Sequence, residues 1–164
     1  MAKTSFNEFL LAVAPERRVF VEKLNDKLLE QGCELVIKEV KSGYTATYQL
    51  EKKTVMNWVF RKTGIWARIY GDNAGRYEEV IAALPADMQK KMTASRDCKR
   101  LIDPDACSGT CVKGFVYSLN GETQKQCRND GMLFLLTEET AEYIAGLICA
   151  EVAVRKLALQ QLNR

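Results

Sequence analysis

The sequence predicts an α+β protein. Apolar residues recur with helical spacing near both ends of the chain, alternate as in strands over a central stretch, and lose all periodicity in a later cysteine-rich segment. The 164 residues are enough for one domain with a substantial core, and 47% of them are apolar. We therefore expect a single domain over 1–164, with N-terminal helices, a four-stranded antiparallel meander, a helix, a cysteine-held hairpin module, one more strand and a long C-terminal helix.

The N-terminal segment predicts two consecutive helices. Ser5 and Glu8 have the spacing of a capping box, which favours a short helix as far as about Val13. Pro15 then suits the first turn of a second helix, which Gly32 ends. The apolar residues of the second helix recur every three or four positions, at Val19, Phe20, Leu24 and Leu28.

Four runs rich in β-branched and aromatic residues follow the second helix. They are Glu34–Val40, Tyr44–Leu50, Thr54–Arg61 and Ile65–Tyr70. The polar segments between them are too short to cross over between parallel strands. The runs therefore predict an antiparallel meander.

The second half of the chain predicts three more helices, a hairpin and a strand. The helical segments are 77–84, 85–92 and 137–163, and the strand is Met132–Leu136. Pro85 suits a first helical turn, and the acidic residues after Thr137 favour a helix N-terminus. Asn120-Gly121, between the strand-like runs 115–119 and 122–126, is typical of a type I′ hairpin turn.

The cysteines fall into two groups. Cys33 lies at the predicted helix-to-strand junction and Cys149 lies inside an apolar stripe of the last helix, and both favour simple buried thiols. The other four are Cys98, Cys107, Cys111 and Cys127. Three of these lie in the segment 93–114, which has too few large aliphatic residues to offset the entropy lost on ordering it.

Four converging thiolates would give this segment the core that it lacks. Tetrahedral zinc binds four cysteines in closed structural sites, and we therefore predict such a site within a submodule spanning 94–131. Unligated thiols, disulfides and an iron–sulfur cluster are the alternatives that the spacing leaves open. Basic residues near the four positions could offset the charge of a four-thiolate site, at Lys99, Arg100, Lys113, Lys125 and Arg128.

A second candidate site is an aromatic face of the meander. Strict alternation places Tyr44, Tyr48, Trp58, Trp66 and Arg68 together, along with Met56, Phe60 and Tyr70. Aromatic rings with one arginine can bind a small anionic ligand, either in a small-molecule-binding protein or in an enzyme. Aromatic strand residues also form ordinary cores, so both interpretations stay open.

Several functional classes are excluded or receive no support. The chain has no histidine, which excludes mechanisms that need imidazole as a base or a metal ligand. Its net charge of +3 argues against nucleic acid as a partner, and no glycine-rich phosphate loop follows a strand, so no enzymatic activity is assigned.

Location and assembly are predicted from the two ends of the chain. The N-terminus does not have the pattern of a secretion signal, and no apolar run has membrane length, so we expect a cytoplasmic protein without a membrane partner. Apolar residues cover more than one face of the C-terminal helix, which predicts homo-oligomerisation through it. They are Val154, Leu157, Leu159 and Leu162.

The order of the motifs resembles that of a family of uncharacterised small bacterial cytosolic proteins. The resemblance covers nearly the whole chain and lies in the segments 44–48, 56–61, 68–72 and 98–104, the later cysteines, and Lys125-Gln126-Cys127-Arg128. It implies the α+β fold and the cysteine cluster, and it implies no activity. From sequence, then, we expect a binding or interaction domain with a structural four-cysteine zinc site.

Overall fold

The structure is a computed structural model that describes residues 5–106 and 113–162. It has the α+β architecture predicted from the sequence. The chain forms two compact units, one from Met1–Arg68 with Phe134–Ala145 and the other from Ile69–Leu133 with Gly146–Arg164. No helix in the described ranges has the length and apolar composition needed to cross a membrane.

The two N-terminal helices confirm the capping signals. Helix α1, Phe6–Ala12, has Ser5 as its N-cap, and the Ser5 hydroxyl accepts a hydrogen bond from the Glu8 N–H at 3.2 Å. Helix α2, Pro15–Glu30, starts with proline in its first turn. The chain then turns at Gly32, whose φ of 95° is accessible to glycine at little cost.

The predicted meander is present and gains one strand. Strands β1 to β4 are Glu34–Val40, Gly43–Leu50, Lys53–Arg61 and Gly64–Ile69. Strand β1 pairs antiparallel with β2, and β2 with β3. A fifth strand lies beside β4, so the sheet order is β1-β2-β3-β4-β7, where β7 is Leu133–Leu135.

The other unit contains short helices, a hairpin and most of the C-terminal helix. A 3-10 turn at Ala74–Arg76 precedes helices α3 (Glu78–Ala82), α4 (Ala86–Thr93) and α5 (Lys99–Ile102). Strands β5 (Phe115–Leu119) and β6 (Glu122–Gln126) form the predicted hairpin, with positive φ at Asn120 and Gly121.

The long C-terminal helix, α6 (Ala141–Leu162), begins later than predicted. Thr137 and Thr140 form a polar turn before it, in which the Thr140 N–H donates to the Thr137 hydroxyl at 3.1 Å. The Thr137 N–H in turn donates to the Thr140 hydroxyl at 2.9 Å. These reciprocal bonds have the pattern of a capping box, and the Ala141 N–H donates to the Thr137 carbonyl at 3.1 Å, so this turn leads directly into the helix.

Candidate functional site

The structure describes two of the four predicted zinc ligands. Cys98 is buried and Cys127 is half-buried, whereas Cys107 and Cys111 lie outside the described residues. No disulfide joins the described cysteines, which also include Cys33 and Cys149. Within the described ranges, no three acidic or cysteine side chains are grouped closely enough to hold a metal ion.

A short backbone pairing brings Cys98 and Cys127 to neighbouring positions. Asp97 and Gln126 form an isolated antiparallel bridge next to the end of β6. The Cys98 N–H donates to the Lys125 carbonyl at 2.9 Å, and the Cys127 N–H donates to the Arg96 carbonyl at 2.8 Å. Because side chains alternate between the faces of such a pairing, Cys98 and Cys127 lie diagonally on the same face.

Gln126 fixes this pairing to its surroundings. The side chain is buried, and its Oε1 accepts a hydrogen bond from the Tyr117 hydroxyl at 2.8 Å. Its Nε2 donates to the carbonyl of Met92 at the end of α4. The hairpin and α4 are therefore joined through one amide group beside the two cysteines.

Backbone N–H groups surround the Cys98 sulfur. The Gly114 N–H donates to Cys98 Sγ at 3.2 Å. Burial alone would raise the pKa of the Cys98 thiol, but N–H groups of Gly114, Leu101 and Arg100, with the Arg100 charge, lower that pKa below its ordinary value. These donors therefore stabilise the thiolate form of Cys98 relative to that of an ordinary cysteine.

Gly114 can approach the sulfur because it has no side chain. A Cβ at this position would lie 1.8 Å from the Gln126 carbonyl oxygen and 2.9 Å from the Cys98 Cβ. Any larger residue would force the backbone away from both. The glycine is therefore needed to hold the N–H donor against Cys98.

A second polar cluster lies in the same unit, around a glutamate that the sequence analysis did not single out. Glu151 is fully buried in α6. Its Oε1 accepts from the Tyr77 hydroxyl at 2.7 Å and from the Asn73 N–H at 3.1 Å. Its Oε2 accepts from Asn73 Nδ2 and from Arg155 Nε, both at 2.7 Å.

The cluster continues to the surface through Asp72. Arg155 donates to the Asp72 carboxylate at 3.3 Å, and Arg128 donates to it at 2.9 Å. The Arg128 guanidinium also stacks 4.2 Å from the centre of the Tyr70 ring. Because the two carboxylates are matched by two guanidinium groups, the cluster is electrically balanced, and we assign it a structural role.

One sequence signal could have indicated this cluster. Glu151 and Arg155 are four residues apart in a predicted helix, where oppositely charged side chains are neighbours. Glu151 also falls among the apolar positions of that helix, next to Val152. A charged residue in an apolar stripe indicates a buried partner, although the spacing cannot identify Asn73 or Tyr77.

Part of the aromatic face of the meander, at Tyr44 and Tyr48, contacts the N-terminal helices. The Phe9 ring of α1 packs edge-on against Tyr44, with the ring centres 6.4 Å apart. The Tyr48 hydroxyl donates to Asn25 Oδ1 of α2 at 2.8 Å. Tyr48 and Trp58 have no exposed surface, so both belong to the core of their unit.

The five candidate ligand-binding residues do not share one environment. Tyr44, Trp66 and Arg68 are half-buried, in contrast to the two core residues. The Trp66 indole donates to the Thr63 hydroxyl at 2.9 Å, and the Arg61 guanidinium lies 5.5 Å from the Trp66 ring centre. The expected open groove around Arg68 is therefore not supported, because two of its walls are packed inside the core.

Comparison with known proteins gives no match: no protein-family model, curated protein or solved structure is significantly similar to the chain. The resemblance to a small bacterial family stays a prediction.

Proposed function

We propose that the protein is a binding or interaction domain in which a structural zinc ion holds the segment 94–131. Its ligands are Cys98, Cys107, Cys111 and Cys127. The observation that carries the proposal is the juxtaposition of Cys98 and Cys127 on one face of a backbone pairing, where the Cys98 sulfur already accepts the Gly114 N–H.

The donor set fits zinc. Diagonal neighbours across antiparallel strands are about 7–8 Å apart, a distance that two cysteine side chains can shorten toward a shared ion. N–H groups directed at a ligating sulfur stabilise its thiolate form and orient it. When bound, zinc would cross-link these sulfurs and so replace part of the missing apolar core.

The two remaining ligands are close along the chain to residues of the same site. Cys111 precedes Gly114 by three residues, and Cys107 directly follows Ala106. Three residues of extended chain span about 10 Å at most, which keeps Cys111 within reach of an ion at Cys98. A zinc ion bound to four thiolates carries a net negative charge. Arg100 and the nearby lysines would offset that charge, since Arg128 is already paired with Asp72.

The metal content of the untagged protein, purified under reducing conditions, tests the proposal. We expect about one zinc ion per chain, and we expect Cys107→Ser and Cys111→Ser to lose it and to lower the free energy of unfolding. Cys149→Ser is the matched control, because it removes a half-buried thiol outside the module. This variant should keep its zinc.

Counting reactive thiols keeps the test decisive if a variant does not fold. In the native wild-type protein, removal of zinc with a chelator should expose four additional thiols to a thiol reagent. A folded protein that contains no metal and whose thiol reactivity does not respond to the chelator would overturn the proposal.

A further inference from the structure

Strand β1 forms one edge of the five-stranded sheet. All seven of its residues pair with β2 on one side. On the other side, no strand in the described part of the chain pairs with it. Unpaired backbone groups along a sheet edge are a template for a further strand.

The side chains of β1 make this edge accessible and partly apolar. Val36 is 39% exposed and Val40 is 43% exposed. Glu34 and Lys38, two positions on either side of Val36, are exposed on the same face. Their cross-strand neighbours in β2 are Gln49 and Thr45, which are uncharged.

We propose that β1 pairs antiparallel with β1 of a second copy of this chain, about a two-fold axis at Val36. In this register Glu34 of each copy lies opposite Lys38 of the other. Leu35 lies opposite Ile37, and the two Val36 side chains meet at the axis. The pairing joins two five-stranded sheets into one continuous sheet.

The charges select this register over its neighbours. A two-fold axis perpendicular to the sheet keeps each residue on its own face, so the axis must pass through a residue position. An axis at Ile37 places Lys38 opposite Val36, and an axis at Lys38 places two lysines opposite each other. An axis at Leu35 places Glu34 opposite Val36. Only the axis at Val36 opposes Glu34 to Lys38, and symmetry makes that pair twice.

Lys38 also disfavours pairing of this edge with most other strands. A lysine in an edge strand discourages association with most other strands, because its charge would face an apolar residue. The contact itself is short and buries less than about 1,000 Å², so we expect a dimer that dissociates on dilution.

Sedimentation velocity over a concentration series, under reducing conditions, tests the proposal with four proteins. They are the wild type, Glu34→Lys, Lys38→Glu, and the double variant in which the two charges are exchanged. Each single variant places like charges opposite each other twice in the dimer. The dissociation constant of its dimer should therefore be at least about tenfold higher than that of the wild type. The double variant restores both opposite pairs and should dimerise like the wild type.

A mixture of the two single variants provides the sharpest control. In a mixed dimer, the Glu34→Lys chain presents a lysine at both positions and the Lys38→Glu chain presents a glutamate at both. Every cross-strand pair at these positions then joins opposite charges, so an equimolar mixture should associate more strongly than either variant alone. Thermal unfolding checks that each variant is folded, since the exchanged positions are exposed.

Three results would overturn the proposal. The wild type could stay monomeric at the highest concentration, or the single variants could dimerise as well as the wild type does, which would place the contact elsewhere. In folded proteins, failure of both the double variant and the mixture to restore association would equally exclude this register.

Discussion

At the scale of single residues, Glu151 shows how a carboxylate can be fully buried without remaining unsatisfied. Transferring a charged group out of water costs several kcal/mol unless hydrogen bonds and a counter-charge replace its hydration. Each Glu151 oxygen accepts two hydrogen bonds, and Arg155 supplies the positive charge. The hydrogen-bonding capacity and the charge of Glu151 are therefore satisfied in the folded protein. Its donors in turn need the carboxylate as their acceptor.

Removing this carboxylate should strongly destabilise the protein. Glu151→Ala leaves Arg155 without its buried partner and Tyr77 without its acceptor, and we expect the free energy of unfolding to fall by about 3 kcal/mol or more. Glu142→Ala is the matched control, since Glu142 is exposed in the same helix, and its effect should stay below about 1 kcal/mol. Urea denaturation measures both values; equal effects would show that the cluster contributes nothing specific.

At the scale of elements, two hairpins have similar turns built from different residues. The β5–β6 turn uses Asn120 and Gly121, with φ of 53° and 81°. The β2–β3 turn has Glu51 and Lys52 at φ of 51° and 65°. Left-handed backbone suits asparagine and glycine, whereas for other L-residues it costs about 1–2 kcal/mol each. The β2–β3 turn therefore holds a conformation that its residues disfavour.

Giving the β2–β3 turn the residues of the other hairpin should stabilise the protein. We expect the double substitution Glu51→Asn and Lys52→Gly to raise the free energy of unfolding by about 1 kcal/mol, because both residues then accept positive φ. Gly121→Ala is the opposing control: its Cβ would have no neighbour within 4 Å, so any loss comes from the backbone conformation alone. Thermal unfolding compares the two, and a loss of stability in the double variant would contradict this account of the turn.

The elements that the sequence predicted well are those with local signals. Ser5, Pro15 and Gly32 mark helix ends through their own backbone preferences, and Asn120-Gly121 fixes its hairpin in the same way. Helix α5 was missed because its four residues are too few for a periodic pattern. The place of β7 beside β4 depends on packing between distant segments, which no local signal records.

In the candidate site, too, the sequence predicts the features that have local signals and misses those that depend on contacts between distant segments. The hairpin that carries Cys127 was predicted, whereas the Asp97–Gln126 bridge that brings Cys98 to it was not. The Gln126 side chain also contacts Met92 and Tyr117 at that bridge, and no spacing in the sequence indicates those contacts. The aromatic candidates show a related limit of local patterns: alternation predicts a shared face, whereas the burial of Tyr48 and Trp58 depends on tertiary packing.

At the scale of the whole molecule, each compact unit is completed by a segment distant in sequence. Residues 134–145 join the N-terminal unit, and residues 146–164 join the other. The second connection brings Glu151 to Asn73 and Tyr77, more than 70 positions away along the chain. Long-range closure of this kind carries a chain-entropy cost, which satisfied buried polar groups help to offset.

The buried tyrosines predict a loss of stability in alkaline solution. Burial raises the pKa of Tyr48, Tyr77 and Tyr117, and the Glu151 charge raises that of Tyr77 further. Each hydroxyl also donates a hydrogen bond, to Asn25, Glu151 and Gln126 respectively. The neutral phenol is therefore the form that the folded state requires.

The sign of the pH effect depends on whether the folded or the unfolded state releases the tyrosine proton first as the pH rises. In the unfolded chain a tyrosine ionises near pH 10, whereas in the folded protein these three stay neutral at that pH. The stabilisation is complete below about pH 10 and is lost as the pH rises above it, because only the unfolded state then releases protons. Each buried tyrosine should contribute a slope of about −1.4 kcal/mol per pH unit to the free energy of unfolding.

Urea unfolding between about pH 9 and pH 11.5 measures this slope. Relative to the wild type, Tyr48→Phe should be less stable at neutral pH, because Asn25 loses its donor, yet its stability should fall less steeply above pH 10, by about 1.4 kcal/mol per pH unit. Tyr143→Phe, at a position 39% exposed, is the control for the substitution itself, and it should change the free energy of unfolding at neutral pH by less than about 1 kcal/mol. Equal slopes for the wild type and Tyr48→Phe would mean that Tyr48 ionises in the folded state as readily as in the unfolded one, so that its burial does not hold it in the neutral form.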